Sequence, residues 1–151
     1  MGIKKFDPLK SASLCLDTSA LIYHLEDVAP YSDFTEQLFR AVASSTVRCV
    51  ISSLSVAEIF TKPFAQQDQA TISIIENFLL TFPGLEIIPT SYSIARKAAE
   101  LRAKYRLKTP DAIIVATALI TNCEGLVSND LQWKRLINEK IKVVILDEQI
   151  K

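Results

Sequence analysis

Five short apolar, β-branched runs recur along the chain, at residues 13–16, 47–52, 85–88, 125–128 and 141–146, each separated from the next by a longer stretch of helical period. The helical patterns cover residues 18–26, 31–45, 54–61, 66–81, 91–108 and 110–121, with a short one at 131–138. Runs apolar at nearly every position, rather than at alternate ones, describe strands covered on both faces. Strand–helix alternation then leaves few options: a central, mostly parallel sheet of about five strands in a three-layer α/β/α sandwich. Chain length of 151 residues and 49% hydrophobic content suit one domain over 1–151, preceded by a tail at residues 1–12.

Local signals mark the boundaries. Pro30, Pro63 and the Pro83-Gly84 pair punctuate the chain, while Thr109 followed by Pro110 predicts a helix start that puts Asp111 in the first turn. Residues 112–120 carry almost no polar face, so that helix is expected to lie buried against the sheet. Nothing at the start has the continuous apolar core of a signal peptide, and the longest apolar stretch, 112–123, is too short to cross a bilayer. A cytoplasmic protein without membrane association is the expectation. Cys15, Cys49 and Cys123 are odd in number, widely spaced and set in apolar sequence, which predicts buried free thiols rather than disulfides or a zinc site.

Four acids stand where an apolar run meets a turn or opens a helix: Asp17, Glu58, Asp111 and Asp130. Ligand crevices of open α/β sheets lie outside the carboxyl ends of the strands, so these positions aim four carboxylates at one place. Each also has a structural reading. Asp17 and Asp130 suit helix N-caps, Glu58 completes a capping box with Ser55, and Asp111 compensates a helix dipole. Gathered together, the four would repel and raise one another's pKa unless a cation neutralised them. The single histidine, His24, expected on a helix surface, excludes a two-histidine acid–base mechanism, and the lack of Cys/His clusters disfavours zinc. Oxygen-ligated Mg²⁺ or Mn²⁺ is the matched metal.

Net charge is zero, yet residues 91–108 hold six basic side chains against Glu100 alone, leaving 11 basic and 16 acidic residues elsewhere. Within that segment Ile94, Ala98, Leu101 and Tyr105 form a core stripe, and Lys97, Lys104 and Lys108 gather towards one flank as candidate contacts for a phosphate backbone. The alternative is a solvated helix face. Trp133 is either a base-stacking residue or an anchor for the short helix at 131–138.

The ordered motifs DTSALIY, SLSVAEIF, TPDAIIVATAL and LVSNDLQW resemble those of PIN-domain ribonucleases, over about residues 14–146. The resemblance implies that Asp17, Glu58, Asp111 and Asp130 are catalytic and hold one or two Mg²⁺ or Mn²⁺ ions, with Ser19 and Ser128 in support. It further implies hydrolysis of RNA phosphodiesters to 5′-phosphate and 3′-hydroxyl ends. Length and wording are most similar to the VapC toxins of that family, which implies a homodimer and a VapB-like antitoxin as partner. Other readings are a scaffold that binds RNA or protein without cutting, or an RNA-processing nuclease that is not a toxin. Phosphatases of the haloacid dehalogenase type would want Asp-x-Asp after the first strand, and an adhesion-type metal site Asp-x-Ser-x-Ser; Ser19 and Leu21 break both.

Overall fold

The structure, a computed structural model, describes residues 5–150. Five strands, β1 (Ser13–Leu16), β2 (Arg48–Ser52), β3 (Leu85–Ile88), β4 (Gly125–Ser128) and β5 (Lys142–Ile145), form one sheet in the order β3-β2-β1-β4-β5. Every pairing is parallel, including β5, so the sheet is more uniform than the mostly parallel one expected. The chain builds outward from β1 through β2 to β3, then crosses back to add β4 and β5 on the other side. That reversal places a topological switch point between β1 and β4.

Alternate strand residues feed opposite layers. Cys15, Val50 and Leu126 face a core built with α5 (Tyr92–Tyr105) and α6 (Thr109–Ile120). Leu14, Leu16, Cys49, Ile51 and Val127 face the other core, with α1 (Thr18–Leu25), α2 (Ser32–Ala43), α3 (Ser53–Ala65) and α4 (Gln69–Thr81). The predicted stripe of Ile94, Ala98, Leu101 and Tyr105 is buried, as is most of α6. All three cysteines are free and buried. Among the described residues no helix is long and apolar enough to cross a membrane. At the Pro83-Gly84 turn, Gly84 adopts φ +81°, and a Cβ there would meet the Val42 carbonyl at 2.6 Å; glycine alone fits both conditions.

Three local expectations change. Helix α3 does not stop before Pro63: the ring is buried, and the helix closes beyond it through Gln66 N–H to the Lys62 carbonyl at 3.0 Å. Proline removes one helical hydrogen bond, but burial of its ring offsets part of that cost. Helix α6 begins one residue early, at Thr109, with Lys108 as its uncapped boundary and Asp111 still in the first turn. His24 is not a surface residue of α1: it is half-buried, stacked on Phe39 at 4.1 Å between ring centroids and near Phe78, and burial lowers its pKa.

Candidate active site

Strand β1 ends at Leu16, and Asp17 follows at the carboxyl edge beside the switch point. Its backbone is extended, φ −69° and ψ 159°, as at a helix cap. A capping side chain ordinarily bonds the N–H two or three residues in. Here Oδ1 instead accepts the N–H of the next residue, Thr18, at 2.7 Å, and Oδ2 turns across the sheet to accept the Ser128 hydroxyl at 2.8 Å. Ser19 lies at 3.4 Å from the same oxygen. Ser128 is the last residue of β4, the strand registered beside β1, and its hydroxyl also accepts the Asp130 N–H at 3.1 Å. One buried serine thus ties the first acid to the last.

Asp130 does act as a cap. Its Oδ1 accepts the Gln132 N–H at 2.9 Å at the head of the short 3-10 helix Leu131–Asn138. One oxygen of this carboxylate is thereby engaged, so structural and functional roles coexist in one side chain.

Glu58 departs from the sequence expectation in the opposite sense. The capping box with Ser55 does not form, because α3 starts at Ser53 and is capped by Ser52, whose hydroxyl accepts the Leu54 N–H at 3.1 Å. Glu58 therefore sits in the second turn, and its Oε1 accepts the Thr18 hydroxyl at 2.8 Å. Thr18 and Ser55, 3.0 Å apart and both buried, are the site residues that sequence reasoning missed. The available signal was the placement of Thr18 directly after Asp17 and of Ser55 one helical turn before Glu58.

Asp111, in the first turn of α6, completes the group. Burial, then the charges of Asp130 and Glu58, raise its pKa, with Lys108 opposing. Asp17 is pushed up to about 6, chiefly by burial and further by Asp111 and Glu58, against the hydrogen bonds from Ser128 and Thr18. These charge effects link Asp17 with Asp111 and Glu58, and Asp111 with Asp130 and Glu58. Among the described residues, no group of three or more Asp, Glu, His or Cys side chains is arranged to hold a metal ion. The acids instead spend oxygens on Thr18, Ser128 and Gln132. The donor chemistry fits a hard divalent cation: all-oxygen ligands, and carboxylates whose repulsion such an ion would relieve.

The basic segment divides. Lys108 stays beside Asp111, but Lys97 and Lys104 are drawn to Glu139, at 4.0 and 2.9 Å, and Lys97 also to Glu100 at 3.4 Å. Glu139 precedes β5, so these two lysines lie at the amino edge of the sheet, away from the acids. Trp133 is 1% exposed and serves as an anchor; its Nε1 has no hydrogen-bond acceptor among the described residues.

A family model described as PIN domain matches residues 14–138. The chain belongs to the PIN domain family. Its fold is similar to that of VapBC2 from Rickettsia felis bound to a DNA fragment from their promoter, with a TM-score of 0.72 at 22% identity, covering 88% of this chain and 98% of that one. DNA-bound VapBC from Salmonella typhimurium is similar at a TM-score of 0.70 and 19% identity, covering 89% and 98%. FitAcB from Neisseria gonorrhoeae matches at 0.67 and 15%, covering 88% and 97%. These neighbours establish a shared fold. No curated protein matches the sequence.

Proposed function

We propose that this chain is a Mg²⁺- or Mn²⁺-dependent endoribonuclease of the VapC toxin type, one domain over residues 1–151, working in the cytoplasm. The observation that carries the reading is the placement of Asp17, Glu58, Asp111 and Asp130 from four separate segments: Ser128 ties Asp17 to the Asp130 turn, Thr18 ties Asp17 to Glu58, and Asp111 heads α6. These four residues would hold one or two ions, and Ser19 and Ser128 would orient Asp17. When bound, the metal supplies positive charge for an RNA phosphodiester and makes water a stronger nucleophile. The chain's own part is to fix the acids: Ser128 and the Thr18 N–H hold Asp17, Thr18 holds Glu58, and the helix dipole of α6 favours ionised Asp111. Lys108, exposed beside Asp111, suits a phosphate flanking the cleaved bond.

A partner surface adjoins the site. A cavity of about 370 Å³ between α1, α3 and α4 has Ile22, Leu25, Ile59 and Ile75 in its lining, with three acids, Glu26, Glu58 and Asp68, against one base, Lys62. That combination suits an apolar antitoxin segment of the VapB kind carrying a basic side chain towards Glu58. Phe64 and Leu80, exposed on α3 and α4, offer apolar surface to a homodimer.

The test is cleavage of labelled RNA. Activity with Mg²⁺ or Mn²⁺, abolished by EDTA and by Asp17→Asn or Asp111→Asn, supports the nuclease; equal activity in the variants removes the assignment. Toxicity is read separately. Induction should arrest growth and a co-expressed small partner should relieve it, whereas unimpaired growth of an active nuclease points to RNA processing.

A further inference from the structure

Thr18 contacts two of the four acids at once. Its backbone N–H donates to Asp17 at 2.7 Å, and its hydroxyl lies 2.8 Å from Glu58 Oε1 and 3.0 Å from Ser55 Oγ. A threonine hydroxyl carries one proton, and an ionised carboxylate only accepts. The Thr18 hydroxyl donates to Glu58 Oε1 at the shorter distance and turns the same hydrogen towards Ser55 Oγ. Ser55 is fully buried and Thr18 is 7% exposed, so water does not substitute for either partner. Thr18, on α1, thus bridges two residues that lie one turn apart on α3, Ser55 and Glu58.

From this geometry we infer that Thr18 is a positioning residue for the proposed metal centre, setting the spacing between Asp17 and Glu58 through its main chain and its side chain together. The inference rests on the nuclease reading above. Glutamate is long and flexible, and Glu58 emerges from the second turn of α3 with the Thr18 hydroxyl as its one hydrogen-bond donor among the described residues. Occupying Oε1 with the Thr18 hydroxyl fixes the group and leaves Oε2 for a cation. Hydrogen bonds behind metal ligands commonly govern metal affinity in this way.

The experiment titrates Mn²⁺ into the full chain without RNA, by calorimetry or by the electron paramagnetic signal of free Mn²⁺. Thr18→Val keeps the shape and removes the hydroxyl, and it should weaken Mn²⁺ binding about tenfold. The Mn²⁺ concentration for half-maximal cleavage should rise in parallel, with kcat at saturating metal changed less. Thr18→Ser, which restores the hydroxyl, should bind within about twofold of the parent. Because Thr18→Val leaves the buried Ser55 hydroxyl without its donor, Thr18→Val with Ser55→Ala serves as a second variant lacking both groups, and should show the same loss with a melting temperature near the parent's. Thr18→Val combined with Glu58→Gln should lose no more affinity than Glu58→Gln alone, since the two act as one unit. Parental Mn²⁺ affinity in Thr18→Val, or equal loss in Thr18→Ser, overturns the positioning role while Asp17→Asn still reports on the nuclease. A parent chain that binds no Mn²⁺ overturns both.

Discussion

Glu139 and Asp17 are carboxylates at opposite edges of the same sheet, and their surroundings push them in opposite directions. At the amino edge, Glu139 accepts the Tyr105 hydroxyl at 2.5 Å and the Lys104 ammonium at 2.9 Å, with Lys97 beyond, and these partners lower its pKa. At the carboxyl edge, Asp17 has hydroxyl and amide donors but no cationic partner among the described residues, and burial, then the charges of Asp111 and Glu58, raise its pKa. The chain neutralises the first carboxylate with its own lysines. It leaves the second needing charge from outside, which separates a structural carboxylate from one kept for a ligand.

The largest expected contrast between the edges is in catalysis. Asp17→Asn or Asp111→Asn should lower RNA cleavage by more than about 100-fold, since even groups behind metal ligands are worth about 10- to 100-fold. Lys97→Ala and Lys104→Ala should stay within about threefold of the parent, as expected for lysines committed to Glu139. A large loss of cleavage from either lysine variant would break the separation.

Stability should show the two carboxylates with opposite sign. Asp17 has a folded pKa of about 6, above its ordinary value near 4, so the unfolded chain loses this proton first. Folding stability therefore falls as pH rises from about 4 to about 6 and stays lower above it. Metal-free Asp17→Asn should melt about 2–4 °C above the parent at pH 7.5, and the gain should vanish near pH 4. Glu139 runs the other way: its lowered pKa contributes stability that is present above the unfolded value and lost as pH falls through the folded one. Glu139→Gln should melt about 2–4 °C below the parent at pH 7.5, converging with it in acid. Calorimetry in EDTA from about pH 2.5 to about pH 8 reads both, and shifts of the same sign at pH 7.5 would contradict the comparison.

The smallest effect concerns Lys108. Lys108→Ala should raise KM for RNA about threefold and flatten its salt dependence by about one phosphate contact, whereas Lys104→Ala should change neither. Unchanged KM in both variants would remove Lys108 from the substrate path.

The sheet was legible because its cues are local. Ser13–Leu16, Leu85–Ile88 and Gly125–Ser128 are the strands that their apolar runs predict, and the buried face of α6 follows from its lack of polar side chains. The edge at which the acids gather was also readable, since it depends only on where each run ends. Less legible was what held them. The Ser55–Glu58 spacing reads as a capping box, but Ser52, the last residue of β2, had already started the helix. Thr18 meets Glu58 across 40 residues of sequence and Lys104 meets Glu139 across 35, and such pairings depend on packing that no local pattern encodes. The same long-range pull divided the basic segment, which sequence spacing alone had left on one flank.

The central claim is that the carboxyl-edge acids form a site completed by a divalent cation. Its most direct test is titration of Mn²⁺ into the parent chain and Asp17→Asn at pH 8 and at pH 6. Protons compete for Asp17 near its pKa, so the account predicts binding at pH 8, weaker binding with net proton release at pH 6, and loss of binding in Asp17→Asn at both. Absence of Mn²⁺ binding by the parent, or equal binding by parent and Asp17→Asn, would contradict it.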